Sequence, residues 1–530
     1  MLVHAAAADR MGGRADSPSW PFSLAGVISV GLLYGLVYSC LRVSISENLA
    51  VDDALSNVYT QTLELGYVAK NPPLYEWLLW LVQRLTGPAL PSFLILKYSL
   101  LTATFGFLYL VAKRIFADPR WATLAALSPL LLYQIGWNVH EGGGVTQTIL
   151  LMCAVAASMW SFMRLAERGT TGDYLLFGLI AGLGLISKYN FAGFLFVLLA
   201  SALLQPALRA RVFDQRMLVS IGAGAAVTTP VVYWLITEHH DLVAVYNSSI
   251  APMAKTWLQA RAIGLGKAIY APLGFLFPLD ALVVLFPEVL REGWSAVREG
   301  VTLRAVDRSQ LDWRLLLLHI TLGSFIVLLL GAVATGATDY LERYMHPFFL
   351  LTLLWLLGLV EKSGNASRRL SILASVFVAV TLLVVPLRLR ALLHGMGPEC
   401  RRCRIGVPYH GLAAALEARG FHSGTIIAAN RDDAGNLRRM FPAARIVRLD
   451  RPNYAPPLRA ADFTSKVAVV WRKGIESSVP KEVKSELARI AGNATAVPER
   501  VNIPWKLYPL TSAEHIWDWV IVVVDPKPKE

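Results

Sequence analysis

Long apolar runs recur along this chain and constrain its fold more than any other feature. The stretches Ser23 to Leu41, Met217 to Ile236 and Leu370 to Leu387 are each long enough to cross a hydrocarbon core, which takes about 20 apolar residues as a helix. Only 16% of the 530 residues are charged and 55% are hydrophobic, whereas soluble chains carry about 25% charged residues. The length rule gives about eleven crossings, near 22–41, 93–112, 121–136, 145–163, 174–187, 190–205, 217–236, 267–289, 315–333, 346–360 and 370–388. The first run follows Arg10 and Arg14 and ends without a small-residue cleavage pattern, so it reads as an uncleaved signal anchor.

Orientation follows from the basic residues of alternate loops. The set holding Lys113, Arg114 and Arg120, then Arg209, Arg211 and Arg216, and five arginines from Arg291 to Arg314, has more than twice as many as the other. That set is predicted to be cytoplasmic, with the N-terminus inside and everything after about residue 389 outside. The net charge of +13 is spread over short loops instead of massed on one segment, so topology and anionic membrane lipids account for it without nucleic acid.

Residues 390–530 change character. Short β-rich runs at Gly424 to Ala429, Arg445 to Leu449, Lys466 to Trp471 and Trp517 to Val524 alternate with helical patterns at Gly411 to Arg419 and Lys481 to Ile490, which predicts a small α/β domain. It carries no phosphate-binding glycine motif, and its expected role is a cap over the membrane site or a contact for the acceptor. Cys40 and Cys153 lie in apolar runs and behave as small hydrophobes. Cys400 and Cys403 form a C-x-x-C, read as a local disulfide in preference to a metal site because no second Cys or His pair completes a ligand set.

The loop at 42–92, between the first two crossings, is the informative one. Leu55, Val58, Tyr59 and Thr62 follow helical spacing, and so do Leu74, Trp77, Leu78, Leu81, Val82 and Leu85, which predicts two amphipathic helices lying in the membrane interface. Pro72-Pro73 makes a rigid corner between them. Asp52-Asp53-Ala54 near the start, Gly66-Tyr67 before the corner and Asn71-Pro72-Pro73-Leu74-Tyr75 at it resemble the acidic and Pro-Pro-Leu motifs of protein O-mannosyltransferases and lipid A aminoarabinose transferases. These are members of the glycosyltransferase C superfamily. The many-span layout, large first outer loop and outer tail extend the resemblance over most of the chain.

The resemblance implies a mostly α polytopic bundle over 1–389 with an extracytoplasmic α/β domain over 390–530, in a bacterial inner membrane. It implies transfer of a sugar from a polyprenyl-phosphate donor to a lipid or glycan acceptor, such as lipid A or lipopolysaccharide core, another envelope glycan, or protein, with inversion. Asp52 matches the catalytic base and Asp53 its acidic neighbour. Helix neighbours point about 100° apart, so only one of the two faces a reacting hydroxyl. An adjacent carboxylate and partial burial both raise the pKa of Asp52 toward one useful for taking a proton.

Lys70, Lys188 and Arg343 are the cations expected at the donor phosphate, whose charge must be met. Asn71 stands where relatives carry a basic residue, and with Tyr75 and Tyr344 it is expected to contact substrate. In the second outer loop, Glu141 is expected to orient acceptor or sugar, and His140 reads as a hydrogen-bond donor or a ligand for a divalent metal. His239, His240 and Asp241 read as surface residues. The sequence names no certain cofactor and leaves a divalent metal open, and a donor already activated on its carrier needs no nucleotide site. A lipid or sugar transporter would predict repeats of broken helices, which the sequence lacks, and a non-enzymatic scaffold would leave the first-loop motif unexplained.

Overall fold

A computed structural model of the protein describes residues 19–140, 145–238, 256–302, 310–362, 365–394, 404–449, 464–472, 481, 485, 498–505 and 515–525. Six of its helices are long and apolar enough to cross a membrane: Leu24–Ile45, Leu90–Ala112, Thr146–Arg168, Met217–Glu238, Trp313–Thr335 and Ala366–Leu393. Their lipid-facing sides are sets such as Leu32, Leu33 and Leu36, or Leu218, Ile221 and Tyr233, exposed although apolar. The opposite sides bury Phe93, Phe105, Phe162 and Leu317 in one continuous core.

The remaining apolar runs depart from the uniform spans expected of them. The run at 121–136 is a helix only over Pro119–Leu127, because Pro129 has no N–H to continue it, and it proceeds as tight and wide turns through Trp137. The run at 267–289 begins earlier, at Trp257, and folds at Pro278 into a pair of helices bent by 80°. Thr171–Leu185 and Phe191–Leu203 are short, and the run at 346–360 is broken between Phe349 and Thr352. The turns between short helices carry polar side chains to the depth of the bundle, as irregular backbone does when it lines protein interior.

The tail forms a five-stranded mixed sheet of β1 (Thr425–Ala428), β2 (Arg445–Arg448), β3 (Val467–Arg472), β4 (Glu499–Trp505) and β5 (His515–Val524), in the order β2-β1-β3-β5-β4. β1 pairs in parallel with β2 and β3, and β5 pairs antiparallel with β3 and β4. Four strands lie where the alternation predicted them. β4 and the helix Arg431–Met440 do not appear in the sequence reading, the latter because its polar sequence hides a face that buries Ala434 and Leu437. The helix expected over 481–490 falls outside the described residues except for 481 and 485, and so do Cys400 and Cys403.

That missed helix, here the docking helix, joins the two parts of the molecule. It lies along Val51–Tyr59, the acidic helix of the first loop, with both chains running the same way. Leu49 exchanges hydrogen bonds with Asn436, its N–H donating to Oδ1 at 2.8 Å and its carbonyl accepting from Nδ2 at 2.9 Å. Arg438 donates to the Asn57 carbonyl and to Thr60 Oγ1, the latter at 2.8 Å. Gly435 permits the approach: a Cβ there would stand 2.2 Å from the Ala54 carbonyl oxygen. The acidic helix is thus enclosed between sheet domain and bundle, and Val58 joins the sheet domain's core, a correction to the interfacial position expected for it. The helix Leu74–Thr86 keeps an apolar face open, with Leu81 and Leu85 exposed, as an interfacial helix should.

Candidate active site

The acidic helix begins under constraint. Val51, a β-branched residue, has φ 49°, a left-handed conformation that such residues rarely adopt. Its N–H donates to Asp432 Oδ1 at 3.3 Å, so the docking helix helps hold the turn that delivers the next residue, Asp52. Backbone strain of this sort persists only where surrounding contacts over-determine it.

Asp52 and Asp53 separate as helix geometry requires. Asp52 is half-buried, and the positive charges acting on it are, strongest first, those of Arg431, Arg343, Lys188 and Lys70. Burial raises its carboxyl above the ordinary aspartate range, and the four cations oppose that shift. Asp53 is enclosed, 2% exposed, and one of its oxygens has no hydrogen-bond partner among the described residues. Burial raises its pKa too, opposed first by Lys97.

The three sequence-predicted cations converge because the turns carrying them are tied together. Tyr189 Oη donates to the Ala69 carbonyl at 2.8 Å and the Leu74 N–H to the Ile186 carbonyl at 3.2 Å, which fastens the Pro-Pro corner to the turn bearing Lys188. Asn190 Nδ2 reaches the Tyr344 carbonyl at 3.4 Å. The Tyr344 ring then lies between Lys188 Nζ, 5.6 Å from its centroid, and the Arg343 guanidinium, 5.2 Å away. Lys188 Nζ donates to Thr148 Oγ1 at 3.1 Å, and burial, aided by Arg343, lowers its pKa to about 8. Lys70 and Arg343 are exposed. Cations crowded so closely, with one aspartate among them, make this part of the molecule locally positive.

Glu76, which the sequence reading passed over, stands behind this group. It is 3% exposed, accepts from Ser56 Oγ at 3.2 Å and Gln147 Nε2 at 3.3 Å, and burial pushes its pKa up to about 7. Its spacing with Leu79 and Gln83 gave the signal, since all three share the buried face of their helix. Gln83 in turn bonds Thr60 at 2.8 Å and Asn57 at 2.9 Å, so a polar seam fixes the acidic helix against the corner helix. Gly66 of the motif lies under Trp234, where a Cβ would come within 2.2 Å of the ring.

Of the other predicted residues, Tyr75 lies within electrostatic range of Asp53, Glu76 and Asp52. Tyr75 is wholly buried, with its hydroxyl unpaired among the described residues, and Asn71 closes a turn through its N–H to the Val68 carbonyl at 3.1 Å. His140 sits in a separate interior cavity with Asp53, Lys97 and Arg42. Its nitrogens are 2.6 Å from Tyr34 Oη and 2.9 Å from Tyr98 Oη, and its ring stacks on Tyr38 at 3.5 Å. With both nitrogens engaged, His140 has none free for a metal, and no group of three metal-ligating side chains occurs among the described residues. Glu141, His239, His240 and Asp241 lie outside them.

Residues 70–234 match the family model of dolichyl-phosphate-mannose-protein mannosyltransferase, a segment holding the Pro-Pro corner and the Lys188 turn. The lipopolysaccharide core galacturonosyltransferase RgtA of Rhizobium johnstonii is 28% identical over 453 residues, covering 84% of this chain and 86% of that protein. RgtB of the same organism, also a lipopolysaccharide core galacturonosyltransferase, is 26% identical and covers 92% and 94%. The fold is similar to that of ArnT from Cupriavidus metallidurans bound to undecaprenyl phosphate, with TM-score 0.56, 12% identity and coverage of 94% and 98%. The chain is a multi-pass membrane glycosyltransferase that uses a lipid-linked sugar donor, similar to the protein mannosyltransferases in its matched segment and to ArnT in its fold.

Proposed function

We propose that the protein transfers a hexuronosyl residue, of the galacturonosyl kind, from a polyprenyl phosphate to lipopolysaccharide core or lipid A, with inversion at the anomeric carbon. The observation that carries the reading is the half-buried Asp52 set among Lys70, Lys188 and Arg343. Asp52 takes the proton of an acceptor hydroxyl. The hydroxyl oxygen bonds to the anomeric carbon from the face opposite phosphate, and the carbon–oxygen bond to phosphate breaks with its electron pair staying on the phosphate. The released polyprenyl phosphate carries one more negative charge than the donor ester, and Lys188, Arg343 and Lys70 meet that charge as it grows.

Asp53 acts as a positioning residue on the inner side of the helix, opposite Lys97. The sheet domain and first loop, in contact with each other, both face the periplasm, with the N-terminus in the cytoplasm, as the basic loops require. The sugar and acceptor follow from the relatives' activities, and the absence of any nucleotide motif suits a donor already activated on its carrier. The test is transfer from a polyprenyl-phosphate galacturonosyl donor to core oligosaccharide by purified full-length protein, with NMR assignment of the new anomeric bond. A retained anomeric configuration, or full activity in Asp52→Asn, overturns the mechanism.

A further inference from the structure

The sheet domain contributes a residue to the site. Arg431 is the first residue of the docking helix, half-buried, immediately before the Asp432 whose carboxylate holds Val51. The parallel register of the two helices, 432 beside 51, 435 against 54 and 438 on 57, brings their first turns together and so sets Arg431 beside Asp52. The neighbouring arginines of the domain are occupied: Arg438 on Asn57 and Thr60, Arg439 on Glu47 at 2.8 Å, Arg472 on Asp433 at 2.6 Å, Arg404 on Asp432 at 3.4 Å. Arg431 alone among these five makes no side-chain hydrogen bond or ion pair with the described residues.

Its place also differs from that of the membrane-domain cations. Lys188 and Arg343 flank one tyrosine ring, and the charges acting on Lys188 are those of Arg343, Asp52 and Lys70. Arg431 stands outside that group and reaches Asp52 from the sheet domain. The charges tell the same story. Four cations surround one aspartate, and a donor phosphodiester adds a single negative charge, so a neutral sugar leaves two cations unanswered. A uronosyl group brings a carboxylate, and a guanidinium binds a carboxylate through two parallel N–H bonds.

We propose that Arg431 is the sugar-selecting residue, pairing the carboxylate of a uronosyl donor held between the sheet domain and the Lys188–Arg343 phosphate site. The proposal rests on the uronosyl-transfer reading above. The docking helix thereby makes the sheet domain a working part of the donor site in addition to its role as a cap.

The experiment compares kcat/KM of the full-length protein for galacturonosyl and galactosyl donors on the same polyprenyl phosphate, in wild type, Arg431→Gln and Arg431→Lys. Where the galactosyl donor turns over too slowly, its inhibition constant against the uronosyl donor supplies the ratio. Arg431→Gln is expected to lose the uronosyl donor by 10- to 100-fold more than the galactosyl donor, on the order of one charged hydrogen-bonding partner removed, with Arg431→Lys between. Equal loss on both donors, or an unchanged ratio, overturns the assignment. If Arg431→Gln does not fold, the ratio in Arg431→Lys decides in the same way. A wild-type protein that transfers neither sugar overturns the uronosyl-transfer reading itself, whereas transfer with an unchanged ratio overturns only the role of Arg431.

Discussion

The two sides of the acidic helix show how one turn of backbone separates chemistry from architecture. On the Asp52 side, Lys70, Arg343 and Arg431 have no ion pair among the described residues, and among these Lys188 hydrogen-bonds a threonine hydroxyl alone. On the Asp53 side, His140 is bonded through both nitrogens to tyrosines and stacked on a third, and Arg42 is held on the Ser46 and Asn48 carbonyls. Satisfied groups such as His140 and Arg42 fix a structure even with one Asp53 oxygen unpaired among the described residues, whereas exposed unpaired charges of one sign are open to a ligand of the other. The lesson is that adjacent aspartates, indistinguishable by type, are told apart by what surrounds them.

The comparison breaks first at Asp52→Asn. Transfer should fall by about 1000-fold, the scale of a lost general base, while the thermal midpoint in detergent stays within a degree or two of wild type. Asp53→Asn should behave in the opposite manner, lowering the thermal midpoint because Lys97, 3% exposed, loses the nearby carboxylate charge. Thermal unfolding of the two variants side by side checks both, and equal destabilisation would erase the distinction between the two faces.

The pH profile sharpens it. The proposed mechanism needs Asp52 ionised, which puts the expected acid limb above the ordinary aspartate range, and Lys188 charged, which starts the expected basic limb near its pKa of about 8. Lys188→Arg keeps its charge at higher pH and should remove the decline above about pH 8 from the kcat/KM profile, with a several-fold loss at neutral pH from changed geometry. An unshifted basic limb would show that Lys188 does not set it.

The smallest effect concerns Glu76. Its folded pKa of about 7 lies above the ordinary glutamate value of 4.5, so between the two the folded state holds a proton that the unfolded state has already released. Stability therefore falls as pH rises from about 4.5 to about 7 and levels beyond. Glu76→Gln, which keeps the size and can still accept from Ser56, should flatten that fall, measured as thermal midpoints at about pH 5 and about pH 7.5. A midpoint difference as large as in wild type would mean that Glu76 stays ionised in the fold.

Much of this was legible in the sequence because it is local. Apolar runs, the Pro-Pro corner and four strands of the tail follow from spacing over ten to twenty residues, and Asp52, Lys70, Lys188 and Arg343 could be named from a short motif and from the scarcity of cations in the outer loops. The breaks at Pro129 and Pro278 were written there as well, yet hydropathy over a window averages across a proline. His140, expected as a hydrogen-bond donor or a metal ligand, has both nitrogens on tyrosines that the sequence could not place beside it, since Tyr34 and Tyr98 lie 106 and 42 residues away.

By itself, the sequence determined that the chain lives in a membrane, where its six long apolar helices fall and which acid stands in the motif, since each depends on neighbours along the chain. Only the tertiary structure decided which carboxylate meets the cations and that a polar helix 380 residues downstream, seated through Gly435, adds Arg431 to them. Docking is a matter of shape and of hydrogen bonds between distant segments, and no periodicity in either segment encodes the other.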